Sequence, residues 1–129
     1  MTVAMVLDTT AALAYSKGSL AVGETIAYLG EQPGRTFAVP IVCIAGAATT
    51  TDDMDQLVLL GCHGLGEVTP VLANRWREVV TLSQLVGGVE FAVPFLAADE
   101  HDAYLLTASP ERYPDTGRII EINDDLSDD

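Results

Sequence analysis

Short apolar segments alternate with segments that begin at helix-capping residues, and this alternation constrains the fold more than any other feature of the sequence. Val3 to Leu7 is apolar and partly β-branched, and it stops at Asp8, which can cap a following helix. Thr36 to Val39 repeats the pattern after a helix that Ser19 can cap. Strands separated by helices are typical of a parallel sheet covered on both faces. The sequence therefore predicts a single-domain α/β protein with three α/β/α layers and a mostly parallel sheet.

The remainder of the chain continues this alternation. Pro40 fits the first turn of a helix that runs to Ala48, and Asp52 can cap a helix that runs through Leu60. We expect a short strand over Glu67 to Leu72. The last predicted elements are a helix from Asn74 to Val86, a buried helix from Glu90 to His101, a strand from Ala103 to Thr107 and an edge strand from Arg118 to Ile122.

Length and charge limit the organisation of the chain and its partners. The 129 residues suffice for one hydrophobic core, so we assign residues 1–123 to one domain and residues 124–129 to an acidic, disordered tail. Nineteen acidic residues against six basic ones give a net charge of −13, and this field repels the phosphates of nucleic acids. The apolar segments end before the roughly 20 residues that a bilayer span requires. We therefore expect a cytoplasmic protein without a membrane segment.

Several residues with reactive side chains are explained without a catalytic role. Cys43 and Cys62 are too few for a disulfide scaffold or a zinc site, and their apolar neighbours predict two reduced, buried thiols. Ser109 lacks the glycine-rich surroundings of a hydrolase nucleophile, and the Pro110 that follows favours a helix cap. The run Arg75-Trp76-Arg77 is interpreted as a protein contact or as packing, because the acidic body disfavours a nucleic-acid ligand.

Three segments carry a family resemblance. Residues 6–15 read VLDTTAALAY, residues 39–47 read VPIVCIAGA, and residues 104–113 read YLLTASPERY. In order and spacing they resemble the PIN-domain family, the metal-dependent ribonuclease fold that includes toxins of bacterial toxin–antitoxin pairs. The resemblance covers essentially the whole chain, and it implies a PIN-like fold with a divalent-metal site built from acidic residues.

The resemblance implies four acidic positions, and two of them keep an acid in this sequence. Asp8 matches the acid after the first strand, and Glu90 falls where family members carry an Asp at the start of an apolar helix. Gly46 stands where the family usually has a Glu, and Ser109 stands where it has an Asp. The implied catalytic residues are Asp8 and Glu90, and the implied metal ligands are Asp8, Glu90, Ser109 and the hydroxyl of Thr107.

The chemistry explains why such a site needs carboxylates. Mg²⁺ and Mn²⁺ bind oxygen ligands, neutralise a phosphodiester and lower the pKa of an attacking water. With two acids missing, we expect Mg²⁺ or Mn²⁺ binding to be weak. Pro94 lies four residues after Glu90, so it either ends the first helical turn or moves the helix start downstream and turns Glu90 away. Asp8 also fits a simple helix cap, and Glu90 also fits an acid at the positive end of a helix dipole.

Two functional hypotheses follow from the resemblance. The first is a PIN-like domain that has lost most or all nuclease activity and acts as a binding or regulatory protein, with an antitoxin-like partner and a homodimer formed through its apolar helices. The alternative is an active, divalent-metal-dependent ribonuclease of the toxin–antitoxin type that binds RNA, in which Asp99, Glu100 or Asp102 replaces the missing acids. An α/β protein of another function, whose helix caps only mimic the family pattern, is the third interpretation.

Overall fold

The computed structural model describes residues 2–70 and 73–123, and within them it contains five strands and six α-helices. The strands are β1 (Thr2–Leu7), β2 (Arg35–Pro40), β3 (Gly66–Thr69), β4 (Tyr104–Thr107) and β5 (Ile119–Glu121). The helices are α1 (Thr9–Ser16), α2 (Leu20–Gly30), α3 (Ile41–Ala48), α4 (Met54–Gly61), α5 (Trp76–Val86) and α6 (Val89–His101). Two single-turn 3₁₀ helices lie at Ala73–Arg75 and Pro110–Arg112.

The strands form one sheet in the order β3-β2-β1-β4-β5, and every neighbouring pair is parallel. Helices cover both faces, so the predicted three-layer α/β/α fold is confirmed and the sheet is wholly parallel. The chain builds β1, β2 and β3 towards one edge and then crosses to the other side of β1 for β4 and β5. This reversal of direction opens a crevice between the carboxyl ends of β1 and β4.

Alternating side chains on the central strands supply the two cores. Val6 and Leu105 lie in the core between the sheet and the pair α5 and α6. Their neighbours Leu7 and Leu106 lie in the core on the opposite face, which α1 to α4 cover. All four side chains are buried, as the period-2 pattern of a strand inside a covered sheet requires.

The helix boundaries agree with the capping residues in most places. Ser19 caps α2 as predicted, since its hydroxyl accepts a hydrogen bond from the Val22 N–H at 3.2 Å. The prediction that Asp52 caps α4 is wrong. Asp53 occupies that position, and its carboxylate accepts the Gln56 N–H at 3.1 Å. The side chain of a capping residue accepts a hydrogen bond from the N–H two or three residues later in the chain. The position at which the helix starts therefore determines which of two adjacent aspartates is the cap.

One prediction about the chain interior is wrong, and for Pro94 the structure decides between the two alternatives. Cys43 is buried, but Cys62 is exposed, because it caps the carboxyl end of α4 beyond the last buried residue, Leu60. Pro94 does not displace the start of α6, which begins upstream at Val89. A proline has no N–H for the carbonyl four residues earlier, and that carbonyl, on Glu90, accepts the Cys43 thiol instead at 3.7 Å.

Some predicted segments fall outside the described part of the chain. The predicted acidic tail at residues 124–129 lies there, as does the end of the strand predicted to reach Leu72. Within residues 2–70 and 73–123, no single helix is long and apolar enough to cross a membrane. The helical segments Ala73–Val86 and Val89–His101, which meet at a bend of 120°, satisfy the length and composition criteria for a membrane span only as a pair.

Candidate functional site

The crevice at the carboxyl ends of β1 and β4 holds most of the residues that the sequence singles out. Asp8 directly follows β1, and Thr107 ends β4. The pairing of Leu7 with Leu106 places these two strand ends side by side. In doubly wound α/β folds, ligands bind at such a reversal of strand order. The topology therefore favours this crevice as the position of a functional site.

The Asp8 carboxylate is fully buried, and protein donors occupy both of its oxygens. Its Oδ1 accepts the Ala11 N–H at 2.9 Å and the Thr10 hydroxyl at 2.7 Å. Its Oδ2 accepts the hydroxyl of Tyr113 at 2.6 Å. A buried carboxylate is costly unless it is hydrogen bonded, and these three donors meet that need without a metal ion.

Tyr113 reaches Asp8 from the far end of the sequence. Its ring stacks on Phe95 with centroids 5.9 Å apart and meets the edge of Phe91 at 5.8 Å, so packing against α6 fixes its position. Burial raises the pKa of Tyr113 far above its usual value, and the negative charge of Asp8 raises it further. The phenol is consequently protonated at neutral pH and acts as the donor to Asp8.

Two threonine hydroxyls link the strand ends beside Asp8. The Oγ1 atoms of Thr10 and Thr107 lie 3.1 Å apart. The Ala108 N–H donates to Thr10 Oγ1 at 2.8 Å, and the Ser109 N–H donates to Thr107 Oγ1 at 2.9 Å. Ser109 occupies the cap position before the 3₁₀ helix Pro110–Arg112, as predicted, but its hydroxyl makes no capping hydrogen bond. The proposed ligand atom of Thr107 is therefore already engaged with protein groups.

Gly46 and Glu90 meet beside the first turn of α1. A methyl group placed at Gly46 would lie 3.6 Å from Glu90 Oε2 and 3.3 Å from Thr9 Cγ2. The positions singled out by the resemblance thus lie at one end of the sheet, with Glu90 exposed and Asp8 buried. Burial raises the pKa of the nearby Cys43 thiol to about 12, and the negative charges of Asp8 and Glu90 contribute in the same direction. Cys43 is therefore a neutral packing residue and not a nucleophile.

These donors do not fit a firmly held divalent ion. Within the described ranges, no group of three His, Cys, Asp or Glu side chains is arranged to hold a metal ion. Both Asp8 oxygens and the Thr107 hydroxyl already have partners, and Ser109 and Gly46 carry no charge. Mg²⁺ requires near-octahedral oxygen coordination, with at least one or two carboxylates facing it. Of the two retained acids, Glu90 is the exposed one, and no hydrogen bond or ion pair engages its carboxylate within the described ranges.

The acids suggested as replacements lie elsewhere. Arg75 donates to Glu100 Oε1 at 2.8 Å and lies 3.6 Å from Asp99 Oδ2, while Asp102 forms an ion pair with Arg118. All three acids are at the carboxyl end of α6, which lies roughly 15 Å along the helix axis from Glu90. They also precede the amino end of β4, whereas the crevice lies at its carboxyl end. The hypothesis that one of them replaces a missing ligand is wrong.

Sequence reasoning missed two residues of this site and left one motif open. Thr10 and Tyr113 entered only as parts of the family pattern, although both donate directly to Asp8. The one signal available was an aromatic residue with a hydroxyl six positions after Thr107. Trp76 is 58% exposed and stacks with Arg77 at 5.3 Å, which favours the protein-contact interpretation of that motif over packing.

Comparison with known proteins supports the fold. No family model matches the sequence, and no curated protein matches it. Among solved structures, a chain of a toxin–antitoxin complex from Klebsiella pneumoniae matches with a TM-score of 0.66. The two are 11% identical, and the alignment covers 93% of this chain and 98% of that one. At this identity the similarity shows a shared fold over nearly the full length of both chains.

Proposed function

We propose that this chain is a PIN-like protein of the toxin–antitoxin type that no longer cleaves RNA efficiently and acts by binding a protein partner. The observation that carries the proposal is the Asp8 carboxylate, which is buried and accepts hydrogen bonds at both oxygens, from Ala11, Thr10 and Tyr113. The structural similarity to a chain of a toxin–antitoxin complex supports the choice of system. The single domain and the cytoplasmic location inferred from the sequence belong to the same proposal.

Loss of catalysis follows from the chemistry of the crevice. A metal-dependent nuclease must offer free carboxylate lone pairs to an ion that neutralises phosphate and activates water. Both Asp8 oxygens already accept hydrogen bonds from protein donors, and Gly46 and Ser109 contribute no charge. Any Mg²⁺ or Mn²⁺ binding would depend on Glu90 and would be weak. RNA binding is also disfavoured, because six basic residues must act within a chain of net charge −13.

The proposed homodimer uses an apolar groove between α3 and α4. This groove of about 340 Å³ is lined by Ile44, Ala45, Ala48, Met54, Leu57, Val58, Gly61 and Cys62. Met54 and Val58, which line the groove, are each about half exposed. Contiguous apolar surface of this kind marks protein contacts, and a two-fold dimer would cover the same patch on both copies.

The decisive experiment incubates the pure protein with a mixed RNA in Mn²⁺ or Mg²⁺. We expect no metal-dependent cleavage from the wild type, and no difference between wild type and Glu90→Gln. Glu100→Gln is the matched control, since Glu100 lies at the other end of the same helix. Metal-dependent cleavage that disappears in Glu90→Gln but persists in Glu100→Gln would refute the proposal and establish the active ribonuclease.

A metal titration gives an independent readout of the same site. We expect no measurable heat of binding when Mn²⁺ is added to the wild-type protein at up to millimolar concentration. A saturable signal that Glu90→Gln abolishes would show that the crevice still holds a divalent ion. That outcome favours the alternative function, for which the convergence of Asp8, Gly46 and Glu90 at one end of the sheet is the supporting observation.

A further inference from the structure

A second concave surface lies beside α2, and its lining includes Met5 and Leu29 of the core on that face of the sheet. This cleft, called here the α2–sheet cleft, has a volume of about 560 Å³ and lies between α2 and the strands β1, β4 and β5. Its apolar floor consists of Ala4, Met5, Leu29 and Ile120. Parallel sheets are normally covered on both faces, so an open cleft over such strands is a departure from the rule. Its volume falls within the range of ligand pockets.

Two exposed aromatic side chains border this cleft. Tyr28 on α2 is 63% exposed, and Tyr104 on β4 is 51% exposed. Tyrosines supply a large, rigid contact surface with a polar end, and they are over-represented among residues that dominate binding energy. Both rings remain largely in solvent although they flank an apolar floor. The pair therefore offers a place for an apolar or aromatic side chain from another molecule.

The charged residues of the cleft determine which partner fits. Glu24 and Glu121 line it from α2 and β5, and Arg35 lines it from the start of β2. The local balance is acidic, in agreement with the net charge of −13 of the whole chain. The electrostatic field of these charges attracts a basic partner towards the surface and repels an acidic one.

We propose that the α2–sheet cleft binds a basic segment of a partner protein. An apolar or aromatic side chain of that segment lies between Tyr28 and Tyr104, and flanking Lys or Arg side chains pair with Glu24 and Glu121. This inference rests on the proposed function only in that both require a protein partner. It does not depend on whether the crevice around Asp8 is catalytic.

Charge argues against two other occupants of the cleft, a second copy of the chain and the acidic residues that follow Asn123. In a two-fold contact with a second copy the same surface meets itself, so a lining with two acids, Glu24 and Glu121, and one basic residue, Arg35, would meet a lining of the same net charge. The residues that follow Asn123, which itself lines the cleft, are Asp-Asp-Leu-Ser-Asp-Asp, and their charge has the same sign as that of the cleft. A basic partner gains from the same charges that oppose these occupants.

The test uses two synthetic peptides with blocked ends, Lys-Arg-Leu-Trp-Leu-Arg-Lys and the same peptide with Glu in place of each basic residue. Binding to the full chain is measured by fluorescence anisotropy at low salt. We expect the basic peptide alone to bind. The double variants Tyr28→Ser/Tyr104→Ser and Glu24→Gln/Glu121→Gln should each weaken binding by about tenfold or more, and Arg35→Glu should strengthen it.

The matched control is Met54→Ser/Val58→Ser, which alters the apolar groove between α3 and α4. It should leave peptide binding unchanged. Absence of binding by the basic peptide, equal binding of both peptides, or insensitivity to the five cleft substitutions would overturn the inference. Loss of binding in the control variant alone would show that the peptide binds the groove between α3 and α4. That outcome would refute the cleft site and would still agree with a protein-binding function.

Discussion

The hydrogen bond between Tyr113 and Asp8 is the contact whose removal is most informative. Tyr113→Phe deletes only the hydroxyl and keeps the ring that packs on Phe91 and Phe95. Asp8 Oδ2 then loses the donor that the structure gives it at 2.6 Å, inside a fully buried site. Hydrogen bonds to charged groups contribute about 1.5–3 kcal/mol. We expect Tyr113→Phe to lower the free energy of unfolding by about 2 kcal/mol, which for a chain of this length lowers Tm by roughly 7 °C.

The assay is urea unfolding followed by far-ultraviolet circular dichroism, with Tyr113→Phe, Asp8→Asn and the double variant forming a cycle. If the two groups stabilise each other, the double variant will be less destabilised than the sum of the single variants by about 1 kcal/mol or more. The m value should stay constant, because the exposed surface of the unfolded chain is unchanged. A loss below about 0.5 kcal/mol in Tyr113→Phe, or strictly additive effects, would refute the view that Tyr113 satisfies Asp8.

Three further predictions concern the cysteines and the oligomeric state. Iodoacetamide at pH 8 should modify the exposed Cys62 in the native protein and the buried Cys43 only after unfolding, as peptide mass spectrometry will show. The pKa of Cys43 is raised from 9.0 to about 12 on folding. The stability that the buried thiol contributes is therefore complete below pH 9 and is lost as pH rises towards 12. Cys43→Ala should reduce this loss of stability at alkaline pH, and an unchanged dependence of stability on pH would contradict the raised pKa. Light scattering should give the mass of a dimer for the wild type and that of a monomer for Val58→Asp. Leu85→Asp, on the exposed face of α5, should leave the dimer intact. A wild-type monomer would exclude the proposed dimer.

The fold was predictable because its signals are local. A β-branched apolar segment followed by a capping residue gives the β1–α1 junction at Asp8, and the alternating burial of Val6 and Leu7 follows from a strand inside a covered sheet. Errors of one residue, such as Asp52 for Asp53, arise where two adjacent residues have the same capping chemistry. Only the fold decides between them.

The state of the site was not predictable, because it depends on contacts between distant residues. Asp8 and Tyr113 are separated by 105 positions, and no spacing rule places a phenol on that carboxylate. For Pro94 two alternatives stood open, and the structure selects the one in which α6 begins upstream at Val89, with the Glu90 carbonyl accepting the Cys43 thiol. A sequence pattern identifies the acids that a site could use, but only three-dimensional contacts show whether their lone pairs remain free.

The two retained acids therefore have different physical roles, and this difference determines which substitution can decide the function. Asp8 stabilises the chain through three hydrogen bonds, so a loss of activity in Asp8→Asn would not separate catalysis from folding. Glu90 is exposed, and no hydrogen bond or ion pair joins its side chain to another residue in the described ranges. Glu90→Gln should leave stability within about 0.5 kcal/mol of the wild type. Any change that it causes in metal binding or RNA cleavage can then be attributed to the chemistry of the crevice.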